Sequence, residues 1–126
     1  MQKAYRISES EWKVMDVIWR NHPITAAEVV AALAGRKGWA ANTVRTMLAR
    51  LVKKGALEYL QEANRYLYRP AVQREHCVQG EVDSLLHRVF GGAAQPLLVH
   101  FVKNKKLSSA EIRELRKLLD RKESEL

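Results

Sequence analysis

The sequence predicts a mainly helical protein carrying one small β-hairpin, and three observations predict it. Apolar residues recur at helical spacing through most of the chain, and Ser/Thr-x-x-Glu motifs at Ser8, Thr25 and Ser108 mark helix starts. One stretch, Ala56 to Arg69, switches to the two-residue period of strands. The 126 residues have room for two small lobes, a first over 1–70 and a second, three-helix lobe over 71–126.

The first helix runs from its capping residue Ser8 to about Arg20, with Trp12, Met15, Ile18 and Trp19 on one wide apolar face. Two tryptophans so spaced read as core rather than as a ligand site. Pro23 ends that segment, and the Thr25–Glu28 box opens a second helix whose buried stripe is Val29, Val30 and Leu33. A glycine-flanked turn, Gly35 to Trp39, leads to the stretch Ala40–Lys54.

That stretch has two unlike faces. Val44, Met47, Leu48 and Leu51 fall at i, i+3, i+4 and i+7, whereas Asn42, Arg45, Thr46, Arg50 and Lys53 project elsewhere. Gly55 follows where a left-handed residue would stop the helix. The hairpin is expected as Ala56–Gln61 and Arg65–Arg69 around a turn at Glu62, Ala63 and Asn64, with Pro70 closing it. Its tyrosines read as packing, so the hairpin's functional weight rests on Arg65 and Arg69, with Arg65 favoured because it is nearer the tip.

Beyond Ala71, Val78, Val82, Leu85, Leu86 and Val89 form a stripe that ends at Gly91-Gly92. A short apolar helix is expected over Pro96–Val102, and a last one after Ser108 carries Ile112, Leu115, Leu118 and Leu119. Three such helices bury too little surface to close a core unaided, so a second copy related by a two-fold axis is the natural cover.

The net charge of +8 divides as +6 over Met1–Pro70 and +2 over Ala71–Leu126. Between Arg36 and Lys54 six cations meet no acidic residue, so a polyanionic partner is favoured. No metalloprotease, P-loop, dinucleotide or zinc spacing is present, and His22, His76, His87 and His100 are scattered, so neither an enzyme nor a metal or other cofactor is expected. The one cysteine, Cys77, excludes an internal disulfide and reads as a small buried residue. The longest uncharged run, Val89–Val102, is too short to span a bilayer, so membrane insertion is not expected, while the single cysteine and the lack of a secretory apolar region point to the reducing cytoplasm.

Helix, connection and amphipathic basic helix, followed by a hairpin, is the order of a winged helix-turn-helix. On that reading Asn42, Thr43, Arg45 and Thr46 reach base edges, while Arg50, Lys53, Lys54 and Arg65 anchor phosphates of double-stranded DNA. The competing reading is an interaction module whose basic face docks an acidic protein or RNA.

Several segments together resemble the penicillinase repressors, the BlaI/MecI family: ISESEWKVMDVIW from Ile7, TAAEV from Thr25, WAANTVRTMLARLVKKGAL from Trp39, and RYLYRP from Arg65. LLVHFV from Leu97 and LSSAEIRELRKLL from Leu107 look like that family's dimerisation tail. The resemblance implies a homodimeric repressor on a palindromic operator, controlling a β-lactam or cell-wall stress response. It implies dimer contacts through Leu97, Leu98, Phe101, Ile112, Leu115 and Leu119, and relief by a sensor protease that cuts in the tail. Two departures stand out. The family's Ser-Pro before the basic helix is Ala40-Ala41 here, and its Asn-Phe cleavage bond is His100-Phe101. The cysteines of the copper-responsive branch are missing from the C-terminus, which ends Ser124-Glu125-Leu126.

Overall fold

A computed structural model describes residues 5–37 and 39–126. The elements are α1 (Glu9–Arg20), β1 (Ile24–Thr25), α2 (Ala26–Lys37), α3 (Ala41–Lys53), β2 (Leu57–Glu62), β3 (Arg65–Pro70), α4 (Arg74–Phe90), α5 (Ala94–Asn104) and α6 (Ser109–Ser124). They form two compact units, Met1–Val82 and Asp83–Leu126.

All three capping motifs form. Ser8 Oγ accepts the Glu11 N–H at 3.1 Å while Glu11 Oε1 accepts the Ser8 N–H at 2.8 Å. Thr25–Glu28 and Ser108–Glu111 make the same reciprocal pairs. Each box satisfies N–H groups that a helix start otherwise leaves bare.

In the first unit, Val14, Met15 and Ile18 of α1, Val29 and Leu33 of α2, and Val44, Leu48 and Leu51 of α3 close one apolar core. Ile7, Ile24, Ala56, Leu57 and Cys77 complete it. Trp12 and Trp19 pack against its edge with ring centroids 5.5 Å apart, and the Trp19 indole N–H donates to the Val72 carbonyl at 2.9 Å. The chain leading into α4 is held to α1 further by Arg74, which donates to Asp16 at 3.2 Å and lies over Trp12. Cys77 is therefore part of the first unit's core, and burial raises its thiol pKa, with Glu81 adding to the shift. It is a packing residue rather than a thiolate.

The sheet is antiparallel with order β1-β3-β2. Ile24 pairs with Tyr68 and Thr25 with Leu67; Leu57 pairs with Pro70, Tyr59 with Tyr68, Leu60 with Leu67, and Glu62 with Arg65. The strand β1 is an addition to the expected hairpin, since two residues are too few to show a period. The turn is also tighter than the sequence indicates: Glu62 is still paired, so only Ala63 and Asn64 connect the strands, and Ala63 adopts φ 55°.

Two helix boundaries differ as well. The glycine-flanked turn expected from Gly35 begins later, because α2 continues through Lys37; Gly38 lies outside the described residues. One glycine inside a helix costs only about 1 kcal/mol, which its neighbours can offset. Likewise α5 is longer than the expected Pro96–Val102. Pro96 sits in its first turn, where a missing N–H is tolerated.

In the second unit, α4 ends at Gly91 and Gly92, both at positive φ (57° and 86°), which permits the sharp reversal into α5. Neither α5 nor α6 has a buried residue. Val89, Leu98, Phe101, Val102, Leu115, Leu118 and Leu119 are all exposed, and Phe101, Leu107, Ala110 and Leu115 line an open apolar groove. Leu97 and Ile112 are half-buried. Among the described residues no helix is long and apolar enough to cross a membrane.

Candidate nucleic-acid interface

The core fixes how α3 is presented. Val44, Leu48 and Leu51 are buried and Met47 half-buried, so the helix cannot rotate without exposing them. With about 100° per residue, the side opposite that stripe carries Asn42, Thr46, Ala49 and Lys53. Arg45 lies on one flank, Thr43 and Arg50 on the other. All seven are exposed.

Both ends of α3 are informative. Trp39 packs against the core just before the helix. Ala40 takes the extended N-cap geometry (φ −67°, ψ 150°) but has no side-chain acceptor and makes no side-chain cap hydrogen bond. At the other end Gly55 has φ 84°, its N–H donates to Val52 O at 3.0 Å, and the Ala56 N–H donates to Leu51 O at 2.9 Å. This is a Schellman closure, and it turns the chain directly into β2.

Thr46 Oγ donates to the Asn42 carbonyl at 2.9 Å. Its proton is thereby used, leaving a methyl group and an accepting oxygen for any ligand. The charge of Arg45 is felt on the hairpin: burial raises the Tyr68 pKa, Tyr66 and Tyr59 add to it, and the Arg45 charge opposes it.

The structure separates the expected phosphate anchors. Among the described residues, Arg50 and Lys53 are exposed on α3 and form no ion pair. Lys54 instead turns back to α1, where its ammonium pairs with Glu11 at 2.5 Å and donates to the Arg6 carbonyl at 2.7 Å. Glu11 is 2% exposed. Burial opposes its ionisation, but hydrogen bonds from Lys54 and from the Ser8 backbone and hydroxyl prevail, and its pKa falls below the ordinary carboxylate value. Lys54 thus pins the end of α3 to the start of α1, a role its position in a basic run conceals.

On the hairpin, Arg69 donates to Glu58 at 2.6 Å. Arg65 is exposed beside the turn, opposite Glu62, and its charge helps lower the pKa of Glu28, after the Thr25 hydrogen bonds. Both arginines alternate onto the face that carries Glu58 and Glu62. The tyrosines occupy the other face, together with buried Leu57.

His100 and Phe101 lie inside α5, both exposed. A peptide bond in that setting is reachable from solvent but held in helical hydrogen bonding.

The comparisons with known proteins agree across the chain. The penicillinase repressor family model matches residues 7–121. A penicillinase repressor of Bacillus licheniformis is 35% identical over 95% of this chain and 94% of its own length. The methicillin resistance regulatory protein MecI of Staphylococcus aureus strain N315 is 31% identical over 95% of this chain and 98% of its own. A solution structure of the monomeric form of Bacillus licheniformis BlaI in complex with the blaP half-operator is 38% identical, with a TM-score of 0.53 over 60% of this chain and 93% of that one. The chain belongs to the penicillinase repressor family.

Proposed function

We propose that this protein is a sequence-specific DNA-binding transcriptional repressor that acts in the cytoplasm as a homodimer on a palindromic operator. The observation that carries the reading is α3 itself, whose apolar stripe is locked in the core while Asn42, Arg45, Thr46, Arg50 and Lys53 are exposed on the remaining surface. Inserted in a major groove, Asn42, Thr43, Arg45 and Thr46 read base edges, and Arg50 and Lys53 anchor phosphates. Arg65 reaches phosphate from the wing tip, where it sits across the strand pair from Glu62. Lys54 contributes by holding α3 rather than by touching DNA.

The dimer is supported by the exposed apolar side chains of the second unit, among them Leu98, Phe101, Leu115 and Leu119. Two half-sites one or two helical turns apart match such symmetry. Family membership favours a β-lactam or cell-wall stress response as the controlled process. Relief by a sensor protease at His100-Phe101 would require α5 to unwind locally before the bond could be cut.

A gel shift on the promoter duplex adjoining its own gene tests the reading. The expected result is a discrete complex that survives excess unrelated duplex. Salt-sensitive binding without sequence preference, or binding to RNA in place of duplex, would overturn it.

A further inference from the structure

The wing carries two kinds of surface. Along β2 and β3 the period of two puts Glu58, Leu60, Glu62, Arg65, Leu67 and Arg69 on one face. The other face has no carboxylate and presents Tyr59, Gln61, Tyr66 and Tyr68. This is the face of buried Leu57, so it continues outward from the core that holds α3.

Tyr59 and Tyr66 stack with ring centroids 4.3 Å apart, yet remain 46% and 43% exposed. Tyr68 braces the pair, 5.9 Å from Tyr59 and edge-on to Tyr66 at 6.4 Å. Packing alone accounts for Tyr68, which is half-buried against the core. It does not account for two stacked, solvent-facing phenols. An apolar body with a polar tip suits a wet interface, and rings already ordered by stacking lose little freedom on binding.

We infer that the Tyr59 and Tyr66 hydroxyls are a sequence-independent contact of the wing with the sugar-phosphate backbone beside the groove that α3 enters. The inference rests on the proposed DNA-binding function. It is favoured by the charge of Arg45 on α3, which acts on Tyr68, the ring that braces the pair, and by the absence of acid from this face, whereas Arg65 and Arg69 lie on the other face among carboxylates. A neutral phenol donating to phosphate adds affinity without releasing a counterion, so it leaves the salt dependence unchanged.

The test is fluorescence anisotropy of the full chain on the promoter duplex adjoining its gene and on a scrambled duplex of equal length. Tyr59→Phe, Tyr66→Phe and the double variant keep the rings, and thermal melts check that folding is unaltered. Each lost hydroxyl is expected to weaken both duplexes by the same factor, about 2- to 10-fold, with an unchanged salt slope. Leu60→Ala, on the other face, is expected to bind as the parent does. A double variant that binds both duplexes like the parent, or loses affinity for the promoter alone, overturns the inference. A parent chain with no preference for the promoter, combined with an Arg45→Ala variant that binds equally well, would instead show that the DNA-binding reading itself has failed.

Discussion

In the first unit Val14, Met15, Ile18, Val44, Leu48 and Leu51 are at most 1% exposed, whereas in the second Phe101 is 48% and Leu119 is 62% exposed. The apolar patterns that produce these outcomes look alike: α3 and α6 both carry leucines at helical spacing, and α6 is even the better capped. What differs is the supply of partners. Helix α3 meets α1, α2 and the sheet within its own unit, while α5 and α6 leave their apolar stripes open. Amphipathic periodicity therefore says that a face will be covered, but not whether the same chain covers it.

Substitution of equivalent leucines breaks or sharpens this contrast. Leu48→Ala should cost about 2–5 kcal/mol in a urea melt at any protein concentration, because it opens a cavity in a closed core. Leu115→Glu should leave the melt of the first unit in place but turn a dimer into a monomer in sedimentation. A parent chain that sediments as a monomer would remove the second-copy explanation for the tail.

A smaller effect concerns how the first unit is fastened. Glu11→Gln should cost about 1–3 kcal/mol at neutral pH by weakening the link from α1 to Lys54. The sign of the pH dependence follows from the depressed folded pKa of Glu11: its contribution is present above the ordinary value of 4.5 and fades as pH falls through the lower folded value. Denaturant melts across that window should show the parent losing stability relative to the variant. A constant difference at every pH would assign the link to packing instead.

Smaller again is the bare cap. Ala40 already has N-cap geometry, so Ala40→Ser should supply the missing acceptor and raise stability by about 1 kcal/mol, visible as a higher Tm. An unchanged or lower Tm would mean that the α3 N-terminus is satisfied in some other way.

The residues that were legible in the sequence are those whose signal is local. Capping boxes at Ser8, Thr25 and Ser108, the stop at Gly55 and the two faces of α3 each lie within a few neighbouring positions, and the structure reproduces them. Lys54 and the tyrosine pair were not legible, for a physical reason. Lys54 is diverted by Glu11, a residue 43 positions away, and nothing in a basic run reveals which cation a distant buried carboxylate will claim. Tyr59 and Tyr66 share a face by alternation, but their exposure depends on where the helices stop covering the sheet. The extra strand β1 and the longer α2 show a related limit: two-residue strands lack a period, and an interior glycine weakens a helix without ending it.

The most direct measurement is the operator affinity of Arg45→Ala, Lys53→Ala and Lys54→Ala across a salt series. Arg45→Ala should lose about 1–3 kcal/mol and relax selectivity at one base position. Lys53→Ala should weaken all duplexes alike and make the salt slope shallower by about one, while Lys54→Ala leaves the slope as it was. Arg45→Ala with the parent's affinity and base preference would contradict the assignment of α3 as the helix that reads DNA.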